Sequence, residues 1–354
     1  MADSPARSAP SRPGAASTAA VAPAAAPLPA VRKFAGTDYV AVADVARYLG
    51  LTLAGATGSK KLTLTGRSTR AEFEADTRDI SVNGVRVFLG DPIANSGGQL
   101  YVSRVDFERC LTPMLRPGHG IAVRPSSKII VLDPGHGGSD PGKTNTKLGV
   151  NEKTFALDVA LRTRKLLVAG GHRVVLTRED DRFVALTQRA VIASVARADA
   201  FVSIHFNALA NDTRTSGVEV YTFAPRFQRS TNAWGPAETN DTEHHASPGN
   251  RFDHWNVVFA HAIHRRFVAD LKTPDRGKKL MHLAVLRPLS CPGILVECGF
   301  LTSETEARKI ATAEYRQQIA VALAAGIGDY VATLDSLRTP AAAGAAPTTA
   351  APAR

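Results

Sequence analysis

The sequence contains little sulfur and few aromatic side chains. Only three cysteines occur among 354 residues, none of them in a CxxC pair, and aromatic residues make up 6% of the chain. Cys291 and Cys298 flank the segment PGILVE, which would separate them by about 23 Å if it formed a strand rising about 3.3 Å per residue. Because a disulfide spans at most about 7 Å between Cα atoms, we expect Cys110, Cys291 and Cys298 to be buried free thiols.

Long hydrophobic runs are also missing. No apolar stretch approaches the roughly 18–20 residues that a membrane-spanning helix needs, so we expect no integral membrane segment. Pro23, Pro27 and Pro29 interrupt the alanine-rich N-terminal region, which therefore contains no clear secretory signal peptide. No zinc-finger spacing and no dense block of Lys and Arg occurs, which argues against nucleic acid as a partner. The net charge of +11 instead fits another anionic partner, such as a membrane surface or a polyanionic cell-wall polymer.

The composition divides the chain into segments. Residues 1–31 and 336–354 are rich in Ala and Pro and poor in large apolar side chains, so we expect two disordered tails. Between them, residues 32–116 contain short strand patterns and helix patterns, as in a small α+β domain. Residues 117–127 form a linker that contains Pro and Gly. Residues 128–335 follow as the larger domain, which contains the candidate catalytic residues.

An internal repeat characterises the segment 32–116. YVAVADVARYLG (39–50) aligns without gaps on YVSRVDFERCLT (101–112), and each copy predicts a strand that enters a helix. Asn83-Gly84 predicts a hairpin turn between the two copies. In this pattern the segment resembles the small module named after the N-terminal region of copper amine oxidases. The resemblance implies a wall-binding or spacer domain, since the sequence contains no cluster of copper ligands.

From residue 128 onward, strand patterns alternate with helix patterns. Apolar runs such as KIIVLD, AFVSIH and GILVEC alternate with amphipathic segments such as EKTFALDVALRTRKLLVA. This alternation predicts an α/β fold with a mostly parallel sheet and helices on both faces. Residues 224–254 are polar and irregular, and we interpret them as a long surface loop near a site.

Four residues of the metal-ligand type fall at predicted strand ends or helix starts. His136 lies in the turn DPGHGG, Glu152 in the first turn of the following helix, His205 in SIHFN and Glu297 in ILVEC. Because ligands gather at the carboxyl ends of parallel strands, we expect these side chains to converge. Zinc binds imidazole and carboxylate, and a catalytic zinc site uses three protein ligands. His136, Glu152 and His205 fit that set, which leaves Glu297 as the base.

Taken singly, each of these residues also has an ordinary structural explanation. His136 in a glycine turn is often merely exposed, Glu152 suits a helix N-terminus, and His205 can be a satisfied core histidine. Glu297 is different, because burying an unpaired carboxylate costs several kcal/mol and requires a partner. The joint placement therefore favours a site.

At these residues the chain resembles the zinc-dependent N-acetylmuramoyl-L-alanine amidases that remodel bacterial cell walls. The resemblance covers roughly residues 128–330, and its blocks occur in the family's order. They are IIVLDPGHGGSDPG (129–142), VNEKTFALDVA (150–160), GHRVVLTREDDRFVALTQRA (171–190), ADAFVSIHFNA (198–208), GVEVY (217–221), DRGKK (275–279) and CPGILVECGFLTSETEA (291–307).

The resemblance implies a function and the residues that perform it. One zinc ion is expected on His136, Glu152 and His205, with Glu297 catalytic, so that a zinc-activated water hydrolyses the amide between N-acetylmuramic acid and L-alanine. Peptidoglycan is the implied substrate, an activator protein an additional partner, and the periplasm or cell wall the implied location. Arg276 and Asn207 are expected to bind substrate, Arg276 through a carboxylate of the stem peptide.

Other readings of the same residues stay open. Cys298 or Cys291 could serve as the nucleophile of a cysteine hydrolase with a histidine base. The fold could also be a non-catalytic peptidoglycan-binding scaffold, or a zinc peptidase that acts elsewhere on the stem peptide. Phe206 and Cys298 depart from the family pattern beside a ligand and the catalytic glutamate, and we expect them to alter the shape of the cleft.

Overall fold

A computed structural model of the chain describes residues 27–56, 58–120, 125–210, 212–232 and 244–338. Most of both expected tails therefore lies outside the described residues. Strand β1 begins at Val31, the last residue of the expected N-terminal tail, and the final helix ends at Ser336, the first residue of the expected C-terminal tail.

The first third of the chain forms short strands and a few helical turns. Its strands are β1 (Val31–Phe34), β2 (Thr37–Ala41), β3 (Thr52–Ala54), β4 (Lys61–Gly66), β5 (Thr69–Glu74), β6 (Asp79–Val82), β7 (Val85–Phe88), β8 (Ala94–Ser96) and β9 (Gln99–Ser103). Its helices are α1 (Val42–Tyr48), α2 (Arg104–Asp106) and α3 (Thr112–Leu115), with a π-helical turn (Phe107–Leu111) between the last two.

The remainder alternates longer strands and helices. Its strands are β10 (Ile129–Pro134), β11 (Thr144–Asn145), β12 (Val150–Asn151), β13 (Arg173–Leu176), β14 (Ala200–Asn207), β15 (Val218–Phe223), β16 (Asp275–Met281) and β17 (Gly293–Phe300). Its helices are α4 (Glu152–Ala169), α5 (Leu186–Val195), α6 (Asp253–Leu271), α7 (Glu304–Ile310) and α8 (Ala313–Ser336), with a 3₁₀ turn (Pro248–Phe252) before α6.

One mixed sheet runs through both parts of the chain. Its strand order is β13-β10-β14-β17-β15-β16-β7-β6-β5-β4-β3. Among the described residues, the neighbouring pairs from β13 to β17, together with β15–β16 and β16–β7, are parallel. Strand β15 is antiparallel to β17, and the strands from β7 to β3 are antiparallel throughout. Among the described residues of 128–335, four of the five neighbouring strand pairs of this sheet are parallel, and β7 adds the small antiparallel meander to the edge of β16.

Helices cover both faces of the sheet, as the alternation predicts. One face carries Ile130, Val202 and Val296 and packs on α4, α6 and α8. The opposite face carries Val131, Phe201 and Leu295 and packs on α5 and on the segment around Leu286. Residues of β14 alternate between these faces, as the period of a strand requires. His205 shares the parity of Phe201 and therefore lies on the α5 face.

The two copies of the internal repeat form equivalent structures. Strand β2 leads into α1, and β9 leads into α2, so the predicted strand-to-helix unit is confirmed. The two strands also pair with each other, with Tyr39 opposite Ser103. The Asn83-Gly84 hairpin joins β6 to β7, and both of its residues have positive φ, 51° and 81°. A separate hydrophobic core fills this part of the chain, with Val257 of α6 as a member.

Helix α8 is long and apolar, although it contains no uninterrupted apolar run of roughly 18–20 residues. By length and composition, Ala313–Ser336 could cross a membrane, and 44% of its apolar window is buried within the protein. Its buried residues include Ile319, Leu323 and Ile327, which belong to the core shared with α4 and α6. Packing inside the fold accounts for its apolar character.

Candidate metal centre

The turn after β10 places His136 in an unusual backbone conformation. His136 has a φ of 59°, in the left-handed region that non-glycine residues seldom occupy. Gly142, at φ 63°, closes the same loop, and a Cβ there would lie 2.5 Å from the His136 ring and 2.7 Å from Glu152 Oε2. Only glycine lets the backbone approach these two side chains so closely.

Two buried arginines hold this loop through its carbonyl groups. Arg189 donates to the carbonyl oxygens of Pro134 and His136 at 2.9 Å each. Arg178 donates to Gly135 O at 2.7 Å and to Pro134 O at 3.1 Å. The surrounding structure thus maintains a strained backbone that would otherwise relax.

Asp133, in β10, balances the charge of Arg189. Its Oδ1 accepts from Arg189 Nη1 at 2.7 Å and from the Thr177 hydroxyl at 2.6 Å, while its Oδ2 accepts from the Ser203 hydroxyl at 2.7 Å. All four side chains are buried. A buried ion pair of this kind is costly to break, because removing one partner leaves an uncompensated charge.

The structure brings His136, Glu152 and His205 together. Their ligand atoms all lie within 4.8 Å of one another. His136 Nε2 is 3.1 Å and His205 Nδ1 2.9 Å from Glu152 Oε1. Donors around a tetrahedral zinc ion at 2.0–2.2 Å are about 3.4 Å apart, so the spacing and the two-imidazole, one-carboxylate donor set both fit zinc.

Neighbouring groups orient two of these side chains. Asp140 Oδ2 lies 2.8 Å from His136 Nδ1, which directs the other ring nitrogen toward Glu152. Glu152 Oε2 accepts from Lys143 N at 2.8 Å, and its Oε1 accepts from Phe206 N at 3.0 Å. Burial acts to raise the pKa of Glu152, but the hydrogen bonds with the two imidazoles outweigh it and hold that pKa well below its usual range. Glu152 is therefore an anionic carboxylate.

Glu297 lies in β17 directly beside His205. The two residues are paired in the register of β14 and β17, so their side chains share a face of the sheet. Its Oε2 atom is buried and has no hydrogen-bond partner among the described residues. Burial, followed by the nearby carboxylates of Glu152 and Glu219, raises the pKa of Glu297 well above its usual value. A carboxyl group with a raised pKa is suited to accept and return a proton.

A second carboxylate, Glu219, lies on the other side of Glu297. Glu219 is paired with Glu297 in the register of β15 and β17, and its side chain is 2% exposed. Its Oε1 accepts from Arg276 Nε at 2.7 Å and from Lys279 Nζ at 2.8 Å, and its Oε2 accepts from Asn207 Nδ2 at 3.0 Å. Arg276 and Asn207 are thus fixed beside the site by this carboxylate.

The three cysteines and Phe206 are buried side chains. Cys110, Cys291 and Cys298 are buried free thiols, as expected from their spacing. Burial raises the pKa of Cys291 to about 12 and that of Cys298 well above its usual value, which makes both poor nucleophiles. Phe206 and Cys298 belong to the core on the opposite face of the sheet. The expectation that they shape the cleft is therefore wrong, because strand parity points them away from His205 and Glu297.

Sequence reasoning missed the residues that support the ligands. Asp133, Asp140, Arg178 and Arg189 all occur inside the quoted sequence blocks, yet no role was predicted for them. The available signal was an aspartate close to His136 in sequence, since a metal-binding histidine usually donates its other ring N–H to a carboxylate, a backbone carbonyl or water. The arginines gave no such signal, since most of their partners are backbone carbonyl groups.

Comparison with known proteins identifies the larger part of the chain. Residues 130–329 match the family described as N-acetylmuramoyl-L-alanine amidase. The chain is 32% identical over 246 residues to N-acetylmuramoyl-L-alanine amidase AmiC of Escherichia coli O6:H1, a match that covers 64% of this chain and 58% of that relative. It therefore spans little more than half the length of that relative.

Two further similarities extend the comparison. N-acetylmuramoyl-L-alanine amidase AmiA of Escherichia coli K12 is 30% identical over 227 residues, covering 59% of this chain and 78% of AmiA. The solved structure of the amidase AmiC2 of Nostoc punctiforme is 30% identical and covers 59% of this chain and 99% of that one, with a TM-score of 0.49. The family match spans more than half of the chain, which therefore belongs to the N-acetylmuramoyl-L-alanine amidase family.

Proposed function

We propose that the protein hydrolyses the amide bond between the lactyl group of N-acetylmuramic acid and L-alanine in peptidoglycan. The observation that carries this proposal is the convergence of His136, Glu152 and His205, beside a Glu297 whose buried Oε2 atom has no hydrogen-bond partner among the described residues. Family membership supplies the bond to be cleaved. Peptidoglycan lies outside the cytoplasmic membrane, so the proposed site of action is the periplasm or cell wall.

We assign zinc to His136, Glu152 and His205. Two imidazoles and one carboxylate form a catalytic zinc set that leaves a coordination position open. When bound, zinc supplies a Lewis acid that polarises the scissile carbonyl and acidifies water. Asp140 holds the His136 ring in the orientation that this ligation requires.

Glu297 is the proposed proton carrier. Its free Oε2 atom accepts a proton from the attacking water and returns it to the alanine nitrogen as the amide bond breaks. Burial and the neighbouring carboxylates raise the pKa of Glu297, which makes its carboxylate a stronger base toward the water proton in the first of these transfers.

Arg276 is proposed to bind a carboxylate of the stem peptide. Glu219 occupies only its Nε atom, and its guanidinium group lies 5.0 Å above the ring of Phe300. The two terminal nitrogens make no hydrogen bond to another described residue and form the fork that suits a carboxylate. Asn207, fixed by the same Glu219, is proposed to line this part of the site.

The remaining assignments concern the whole chain. We propose that residues 32–116 form a wall-binding or spacer domain of the copper amine oxidase N-terminal type and that 117–127 link it to the catalytic domain 128–335. Most of the two Ala/Pro-rich ends lies outside the described residues. An activator protein is the proposed additional partner.

Digestion of purified sacculi tests the activity. The zinc-loaded protein should release intact stem peptides with a free alanine amino terminus, and a chelator should abolish the release. Glu297→Gln should keep stoichiometric zinc by elemental analysis yet lose nearly all turnover, whereas His136→Ala should lose zinc. Release of single amino acids would instead identify a peptidase, and the absence of any soluble product would identify a non-catalytic scaffold.

A further inference from the structure

An apolar cavity of about 470 Å³ opens beside the metal ligands and has no role in the proton transfers described above. His136 and His205 form part of its wall. Most of the remaining lining consists of apolar side chains. These are Phe183, Val184, Leu186, Leu283, Val285 and Leu295.

Two of these side chains are exposed to an unusual extent. Phe183 is 56% and Leu186 53% exposed, although both are large and apolar. Exposed apolar side chains grouped at the edge of a concave site mark a surface that is covered by a ligand.

Phe183 is held firmly against the histidine loop. A Cβ on Gly138 would lie 2.6 Å from Phe183 N and 3.0 Å from Phe183 Cβ, so the two backbones are in close contact. Asp181 Oδ1 accepts from Gly138 N at 2.9 Å and Asp181 Oδ2 from Lys153 Nζ at 2.7 Å. The backbone of Phe183 is therefore held next to the loop that carries His136, while its ring stays largely exposed.

The two sides of the site differ in charge. The strand order β10-β14-β17-β15-β16 places the charged group of Glu219, Arg276 and Lys279 on β15 and β16. None of these three residues lines the cavity, whose wall comes from β10, β14, the segment that begins α5, Leu295 of β17 and residues 283–285. Its charged lining residues are paired within the site, Asp133 with Arg189 and Asp140 with His136. A muramoyl-peptide has the same asymmetry, because its stem peptide carries carboxylates while the saccharide on the other side of the scissile amide is uncharged.

We propose that the apolar cavity is the subsite for the saccharide half of the substrate, with the Phe183 ring as the platform for the apolar face of N-acetylmuramic acid. This inference rests on the proposed amidase function and adds the direction in which the substrate lies. The flat, apolar ring of phenylalanine matches the C–H face of a pyranose, and its two χ angles make it inexpensive to order.

Two substrates with the same scissile amide test the proposal. Muramyl dipeptide contains the saccharide, and D-lactoyl-L-alanyl-D-isoglutamine lacks it. Phe183→Ala should lower the ratio of kcat/KM for the first substrate over the second by about tenfold, mainly through KM. Phe183→Trp should retain the ratio. Phe227→Ala is the matched control, since Phe227 is 57% exposed and does not line the cavity.

An unchanged ratio of the two kcat/KM values would overturn the proposal. If both kcat/KM values fell by the same factor, Phe183 would only support the histidine loop. Binding of N-acetylmuramic acid alone, followed by NMR titration, provides a readout that needs no turnover. Weaker binding to Phe183→Ala than to the unaltered protein supports the subsite even if amidase activity is absent, and equal binding overturns it even if that activity is present.

Discussion

Replacement of Arg189 by lysine tests how the fold supports the metal ligands. Arg189 is 3% exposed and donates to Asp133 Oδ1 and to the carbonyl groups of Pro134, His136 and Val184. Lysine can keep the ion pair with Asp133, but a single ammonium group cannot serve three carbonyls that lie in different directions.

The expected loss of stability follows from these contacts. Three hydrogen bonds at about 1 kcal/mol each give a decrease of about 3 kcal/mol in the free energy of unfolding. Because the His136 carbonyl is released and its backbone is strained, the ligand should also become less well placed. We expect the zinc dissociation constant to rise about 10- to 100-fold, as is usual when support for a ligand is lost.

Two measurements on Arg189→Lys check these values. Urea denaturation of the metal-free protein, followed by circular dichroism, gives the stability change without any contribution from metal binding. Competition with a chromophoric chelator under native conditions gives the zinc affinity. Arg308→Lys is the control, since Arg308 is an exposed arginine paired with Glu304 and should leave both quantities unchanged.

The reasoning would be refuted if Arg189→Lys unfolded at the same urea concentration as the unaltered protein and bound zinc equally well. Lower stability with unaltered zinc affinity would show that the arginine supports the fold but not the position of His136.

Further substitutions have distinct expected outcomes. Burial raises the pKa of Asp253 to about 7, above its unfolded value. The free energy of unfolding should therefore fall by up to about 4 kcal/mol as the pH rises from about 4 to about 7. Asp253→Asn should remove that fall in urea titrations across this pH range. Asp140→Asn should weaken zinc binding about tenfold in the chelator assay, since the charged partner of His136 is lost; unaltered affinity would show that Asp140 does not orient the ring.

The convergence of the four principal site residues could be predicted because it follows from topology. Strands β10, β14 and β17 are parallel neighbours, so residues that follow or end them meet at one edge of the sheet. Glu152 completed the group because it begins the helix that follows the first of these strands. Periodicity and turn residues are sufficient for that inference.

The rest of the site could not be predicted because charge in a sequence usually indicates exposure. Strand β16 went unrecognised since DRGKKLM contains adjacent lysines, yet Lys278 and Lys279 are both buried. Arg178 and Arg189 resemble surface residues for the same reason. Their burial depends on partners that are mainly backbone carbonyls, brought close only after the loop has folded.

The pairing of β16 with β7 could not be predicted from the sequence either. Residues Lys278 and Val87 pair although they are far apart along the chain, and neither segment carries a pattern that specifies the other. Asp275 Oδ2 adds a contact by accepting from Arg86 N at 2.7 Å. Local periodicity predicts that a strand exists, but the choice of neighbour depends on three-dimensional packing.

The same pairing has a consequence for any attempt to isolate the amidase portion. A fragment cut at the linker would lose β7, and the outer backbone groups of β16 would then face solvent instead of a neighbouring strand. Such an open margin is a template for pairing with other chains. Shortened versions of this protein are thus expected to self-associate, and their low solubility would reflect a severed sheet rather than a poorly folded catalytic half.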